Sequence, residues 1–249
     1  GSQANPYEIS TCQELQDIQW DLSASYELVS DVDCSNTTSW NGGLGFKPIG
    51  DYTYPFEGTV SGNGYAVNNL IVQSRQGNYE ARYYNGFLGA ASTATITNTS
   101  FNDVNITLDA AEYTDYAGLI GYGNDTTVTN VNLTGDIAAP KTYYAGGLIG
   151  LADSNTAVTN ADVNVTITAD TEYQYGMGGV VGYGSGGTDV ANTTSAGSLT
   201  GATGGSYYSF YFGGIMGYAS TAEITESSSS MDITAQTRSG GLVGQTGES

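Results

Sequence analysis

Gly146-Gly147-Leu148-Ile149-Gly150 is one of six near-copies of a pentad, and the pentad decides the fold: a small residue, Gly, two apolar residues and a closing Gly. The others are Asn85-Gly86-Phe87-Leu88-Gly89, Ala117-Gly118-Leu119-Ile120-Gly121, Gly178-Gly179-Val180-Val181-Gly182, Gly213-Gly214-Ile215-Met216-Gly217 and Gly240-Gly241-Leu242-Val243-Gly244. Their closing glycines stand 32, 29, 32, 35 and 27 residues apart. Recurrence at about thirty residues marks a stacked array, which offers faces and ladders before it offers pockets.

Two further parts recur within each period. Nine or ten residues after the closing Gly comes a polar residue with an apolar one two places before it: Asn98 after Ile96, Asn130 after Val128, Asn160 after Val158, Asn192 after Val190 and Glu226 after Ile224. An alternating run follows, clearest in Val104-Asn105-Ile106-Thr107-Leu108 and Val163-Asn164-Val165-Thr166-Ile167. Three short strands per period, joined by Gly and Asn turns, predict an all-β fold. It is a single right-handed parallel β-solenoid whose coils stack at about 4.8 Å. Strand alternation lets one member of each apolar pair point inward, so the other is expected at a corner or outside. The Asn series is expected either to stack amide on amide inside a turn or to stand as exposed turn residues. Glu226 marks its end or an outward position.

Residues 1–84 read as an N-terminal cap with the first coils, and residues 85–249 as the repeats of one continuous domain. Thr11-Cys12-Gln13-Glu14 is a capping box opening a short helix, with Leu15, Ile18 and Trp20 as its apolar side. The run from Tyr26 to Asp33 alternates as one strand, and two more are expected around Phe56–Val60 and Ala66–Val72. Cys12 and Cys34 predict a disulfide that ties down the cap, with two buried free thiols as the alternative. The chain opens a sixth coil at Gly240 without completing it. Either a longer protein continues there or the open end meets another copy.

Charge excludes some functions outright. Twenty-five acids against five bases, with no histidine, give a formal net charge of −20. Phosphate backbones need Lys and Arg, so nucleic acid is excluded as a partner, and anionic membrane surfaces are disfavoured. No apolar stretch approaches a membrane span, so no membrane insertion is expected. The acid excess reads as solubility of a secreted protein or tolerance of high salt.

Chemistry finds little to stand on. Without histidine there is no Ser–His–Asp arrangement and no base to activate a cysteine. An inverting glycosidase needs two carboxylates, and Asp109, Glu112 and Asp115, or Asp170 with Glu172, are the candidate groups. They are weighed against solvated loop charges and weak Ca²⁺ ligands; no cofactor is expected beyond such weak Ca²⁺ binding. Seven Asn-x-Ser/Thr sequons, at Asn36, Asn98, Asn105, Asn124, Asn132, Asn164 and Asn192, are candidate glycosylation sites, though Thr-rich strands produce sequons by themselves.

Tyrosines are the more informative set, at 20 against two tryptophans and six phenylalanines. They gather before the pentads, with Tyr84, Tyr116, Tyr144, Tyr175 and Tyr211 the candidate contact residues, and Tyr122, Tyr183 and Tyr218 follow closing glycines. Stacked coils would turn them into columns that either stabilise the stack or form a surface for sugars or another subunit.

The Gly-Leu-apolar-Gly core of Gly118–Gly121, Gly147–Gly150 and Gly241–Gly244 resembles the GLUG-motif family. The order of Pro6-Tyr7-Glu8-Ile9-Ser10, Glu14-Leu15, Tyr26-Glu27-Leu28, Pro48-Ile49-Gly50 and Phe56-Glu57-Gly58 is similar to the segment that precedes such repeats in large bacterial and archaeal surface proteins. Ser61 departs from the family's usual Asp before Gly-Asn-Gly. The resemblance implies a secreted β-helical surface segment, commonly an adhesin or scaffold, and implies no shared active site. The sequence therefore predicts a non-enzymatic extracellular structural or adhesive solenoid of a microbial cell surface, with surface glycans or further copies of itself as partners. The alternatives are a subunit that associates end to end into an extracellular filament, and a polysaccharide-active β-helix using a carboxylate pair.

Overall fold

A computed structural model describes residues 1–73, 84–109, 114–169, 175–201, 210–235 and 238–247. The chain is a parallel β-solenoid of about six turns. Each turn contributes to three sheets. Strands before the pentad (Tyr84–Asn85, Thr114–Ala117, Thr142–Gly146, Gly176–Gly178, Tyr211–Gly213, Arg238–Gly240) form one six-stranded sheet, and those after it (Leu88–Ser92, Ile120–Asn124, Ile149–Asp153, Val181–Gly184, Met216–Ala219, Val243–Thr246) form a second. The third sheet has 15 strands, among them the long Thr95–Thr107 and Thr127–Ala138.

Cap strands belong to the same stack. Tyr7–Ile9 pairs in parallel with Ser25–Leu28, which pairs with Thr59–Ser61, which pairs with Thr95–Thr107. The inner column Tyr26, Val60, Ile96, Val128, Val158, Val190, Ile224 thus runs from cap to last coil in register. Two expected strands are each interrupted. Ser25–Leu28 stops before Val32–Asp33, and Ala66–Asn68 is separated from Ile71–Gln73 by Asn69 in the left-handed region at φ 58°. The capping box at Thr11 is present, with Glu14 N–H donating to Thr11 Oγ1 and the Glu14 carboxylate accepting from Thr11 N–H. Leu15 and Ile18 are buried as expected, but Trp20 is 78% exposed. It closes a 3-10 turn, Ile18–Trp20, and a 3-10 turn does not continue the helix's apolar face. Cys12 and Cys34 form the predicted disulfide across the cap.

The pentad is a corner, and the apolar residue expected at a corner or outside takes the corner in the first five pentads, while Leu242 of the sixth is 41% exposed. Phe87 and Leu88, Leu119 and Ile120, Leu148 and Ile149, Val180 and Val181, and Ile215 and Met216 are all buried. The second glycine and first apolar residue lie in a bend between two strands, where strand alternation does not apply. The second glycine is there because its α-carbon touches the next coil. A Cβ on Gly86 would fall on the Gly118 carbonyl oxygen, on Gly147 on that of Gly179, on Gly179 on that of Gly214, and on Gly214 on that of Gly241. At Gly241 a Cβ would meet nothing within 4 Å.

Two further corners complete each coil. At one, the buried threonines Thr126, Thr156 and Thr188 turn their hydroxyls onto backbone carbonyls, as in Thr156 Oγ1 to Gly123 O at 3.1 Å and Thr188 Oγ1 to Ala152 O at 3.1 Å. At the other stand Asn98, Asn130, Asn160, Asn192 and Glu226, all at positive φ between 47° and 55°. Asn tolerates this conformation better than most residues, which accounts for the series. Both readings of the Asn ladder hold in part. Asn130 Nδ2 donates to Asn98 Oδ1 at 2.9 Å and Asn160 Nδ2 to Asn130 Oδ1 at 3.2 Å, but the residues are exposed on the outer rim. Glu226 keeps the backbone turn and faces outward.

One inner position breaks the rule. Asn85 aligns with Ala117, Ala145, Met177 and Phe212, is fully buried, and neither carboxamide atom has a hydrogen-bond partner. Leaving such a group unpaired costs about 1–3 kcal/mol. Asn85→Ala, the residue of the next two coils, is expected to stabilise the protein by about 1 kcal/mol in urea unfolding after the loss of side-chain volume is subtracted. A loss of stability would mean that the amide is satisfied by a buried water.

Candidate functional site

Outward positions flanking each pentad carry the tyrosines. On the strands before it, Tyr84, Tyr116, Tyr144, Gly176, Tyr211 and Arg238 stand in register. On the strands after it the matching column is Ala90, Tyr122, Leu151, Tyr183, Tyr218 and Gln245. The bend folds the two outer faces toward each other, so rings of one turn meet across the corner. Tyr116 and Tyr122 lie 6.1 Å apart between centroids, and Tyr211 and Tyr218 lie 5.1 Å apart. Rings also meet along the axis. Tyr84 and Tyr116 are 5.4 Å apart, Tyr116 and Tyr144 are stacked at 5.8 Å, and Tyr183 and Tyr218 are stacked at 5.1 Å.

The predicted contact set is therefore brought together, with one displacement. Tyr175 is not in the column, because Gly176 holds that register; it lies beside it, 5.4 Å from Tyr143 and 6.2 Å from Tyr144. A Cβ on Gly176 would stand 3.3 Å from Tyr144 Cδ1, so the Tyr144 ring occupies the space the glycine leaves. Tyr144 then reaches Tyr183 diagonally at 4.8 Å, and the chain of rings passes from the first column to the second. Tyr52 extends the band at the cap end, stacked on Tyr84 at 6.2 Å and 69% exposed. It lies in a loop-rich crossing with no repeat to announce it, and is placed there because Ile49 and Phe56 bridge to Leu88 and Ala91 of the second sheet. At the other end the Arg238 guanidinium lies 5.6 Å over the Tyr211 ring and bonds Tyr211 Oη at 3.4 Å.

The electrostatics of the band follow from partial burial. Desolvation pushes the Tyr144 hydroxyl well above the ordinary tyrosine range, with Tyr183 and Tyr116 adding to it. Tyr122 is raised by desolvation and then by Asp153, and Tyr26 in the cap is pushed up to about 12 by desolvation and Asp21. A phenol whose folded value lies above its unfolded one contributes stability that is full below about pH 10 and is lost as pH climbs through the folded value. The fold should therefore weaken above about pH 10, with tyrosinate absorbance and loss of β-structure rising together. Tyr144→Phe should shift that alkaline limb upward and leave neutral stability nearly unchanged.

The other candidates sort by position. Asn36, Asn98, Asn132, Asn164 and Asn192 are exposed, whereas Asn105 and Asn124 are half-buried and Asn124 Oδ1 is enclosed without a hydrogen-bond partner. Of the proposed carboxylate groups, Asp109 is half-buried; Glu112, Asp170 and Glu172 lie outside the described residues, and Asp115 is described by its backbone alone. Among the described residues no three His, Cys, Asp or Glu side chains converge as metal ligands. No described helix is long and apolar enough to cross a membrane.

No family model matches the chain. It is 37% identical over 111 residues to Halomucin of Haloquadratum walsbyi, a match covering 40% of this chain and 1% of that protein. A second relative, named "Putative Gly-rich membrane protein", of Evansella cellulosilytica, is 33% identical over 113 residues, covering 45% of this chain and 12% of that protein. The chain thus spans a small fraction of the relatives it matches. Among solved structures it is similar to one described as a "putative immunoglobulin A1 protease" from Bacteroides ovatus, with a TM-score of 0.61 over 100% of this chain and 86% of that one, at 16% identity. At that identity the likeness is one of fold: a coil-stacked β architecture shared across the whole length of this chain.

Proposed function

We propose that this chain is a non-enzymatic, extracellular β-solenoid segment of a microbial cell surface, built on GLUG-type repeats, that uses its tyrosine band as a contact face for surface glycans. The observation that carries the reading is the unbroken run of rings from Tyr52 through Tyr84, Tyr116, Tyr144, Tyr183 and Tyr218 to Tyr211. A band of adjoining rings gives sugar faces an apolar bed edged by polar phenol groups. Its tyrosines are immobilised by one another, so binding orders few further side chains. An extracellular setting agrees with the disulfide and with surface or membrane proteins among the relatives. The acid excess keeps such a segment soluble and discourages anionic partners, leaving neutral glycans as the favoured class.

The test is sedimentation of the protein with insoluble neutral polysaccharides. Substituting Tyr122, Tyr183 and Tyr218 together by serine should reduce binding about ten-fold or more, since each stacked aromatic contributes about 0.5–1.5 kcal/mol. Circular dichroism of the variant should remain that of the β-solenoid. Unchanged retention by a folded variant would sink the glycan-contact reading.

A further inference from the structure

The cap carries exposed aromatic surface that neither the repeat nor the tyrosine band accounts for. Trp20 is 78% and Tyr7 53% exposed, and both border one cleft of about 300 Å³. Its floor is Tyr26, which is buried, lies 5.6 Å from Tyr7 between ring centroids, and donates its hydroxyl to the Asp21 carbonyl at 2.8 Å. Ile9 and four carboxylates, Glu8, Glu14, Asp17 and Asp21, complete the lining with no base among them. The Glu14 carboxyl is held below its ordinary range, chiefly by the Ser10 backbone N–H at 2.8 Å, so it stays charged at neutral pH.

Chemistry narrows the occupant. An aromatic face attracts a cation through the ring quadrupole, and carboxylates around it add direct attraction while repelling anions. Bare metal ions prefer shells of six or more oxygens, and ring faces cannot replace their water ligands. An alkylammonium group satisfies both halves of the cleft: its methyl or methylene surface packs on rings and its charge meets the acids. A net charge of −20 raises the local concentration of any such cation. We infer that the cap cleft between Trp20, Tyr7 and Glu8 is a binding site for a small organic cation, a quaternary ammonium or substituted amine. This assignment does not depend on the glycan reading, because the cleft and the tyrosine band share no residue.

Calorimetric titration of the whole chain with choline at low ionic strength tests it, with 3,3-dimethyl-1-butanol as the uncharged isostere. Choline should bind saturably, and the isostere about ten-fold more weakly or not at all. Trp20→Ala, a change at an exposed site, should weaken choline about ten-fold, and Glu8→Gln about three-fold. Polysaccharide sedimentation by the Trp20→Ala variant should be unaffected. The inference is overturned if choline shows no saturable binding, if the isostere binds as well as choline, or if Trp20→Ala leaves affinity unchanged. It is equally overturned if Na⁺ or Ca²⁺ at the same concentration displaces choline, since the site would then belong to an inorganic ion.

Discussion

Gly147→Ala is expected to cost the fold about 3 kcal/mol, while Gly241→Ala changes stability by less than about 0.5 kcal/mol. Both glycines hold the same place in the pentad, and neither has the left-handed backbone that would strain an alanine by itself. They differ in what lies above them. At position 147 a methyl group collides with the Gly179 carbonyl oxygen and comes 2.7 Å from Val163 Cγ1, whereas at position 241 it enters open space. That carbonyl cannot step aside, because its coil is fixed by the parallel ladders on three sheets. Relief must come from a local widening between these two coils, which stretches hydrogen bonds such as Leu148 N–H to Val180 O at 2.9 Å. Urea unfolding of both variants decides the matter. Equal losses at the two positions would show that the glycines serve chain flexibility and that coil contact is irrelevant.

Removal of the disulfide, through Cys12→Ser with Cys34→Ser, is expected to cost about 3 kcal/mol for a loop closed over a separation of 22 residues. The loss should be regional. Each coil of a solenoid touches its neighbours alone, so a weakened cap opens without unravelling distant coils. Amide exchange should accelerate across Tyr7–Leu28 and remain slow in the pentad strands beyond Thr114. The unsubstituted protein in strong reductant should behave like the double variant. Uniform acceleration along the whole chain would instead mark the cap as the lock of a fully cooperative unit.

Much of this architecture was legible because the same three parts recur in each period. The six pentads, the Asn positions and the alternating strands each mapped to one place on the coil, and the capping box and cysteine pair mapped to the cap. Legibility ended where a local rule met a corner or an end. Alternation left one apolar residue of each pentad at a corner or outside, and only the bend between strands shows that both turn inward in the first five pentads. Trp20 looked like the helix's apolar face until the 3-10 turn rotated it outward. Asn85 occupies the small first position of its pentad and gives no sign, by itself, that the position is sealed. In the tyrosine band the columns could be anticipated from spacing, whereas Tyr52 and the sideways place of Tyr175 depend on a bridging loop and on Gly176. Those follow from register across coils, which no single period contains.

The glycine contacts between coils also make the protein a ruler. Its rise per turn is the spacing of hydrogen-bonded parallel strands, and the glycines admit the backbone contact between coils that this spacing imposes. The period varies from 27 to 35 residues, yet the described strands stay in register from coil to coil. Reach along the axis is therefore counted in pentads, at about 4.8 Å each. A solenoid built this way can lengthen by duplicating thirty-odd residues, and it can diversify its outer side chains without changing how far it extends.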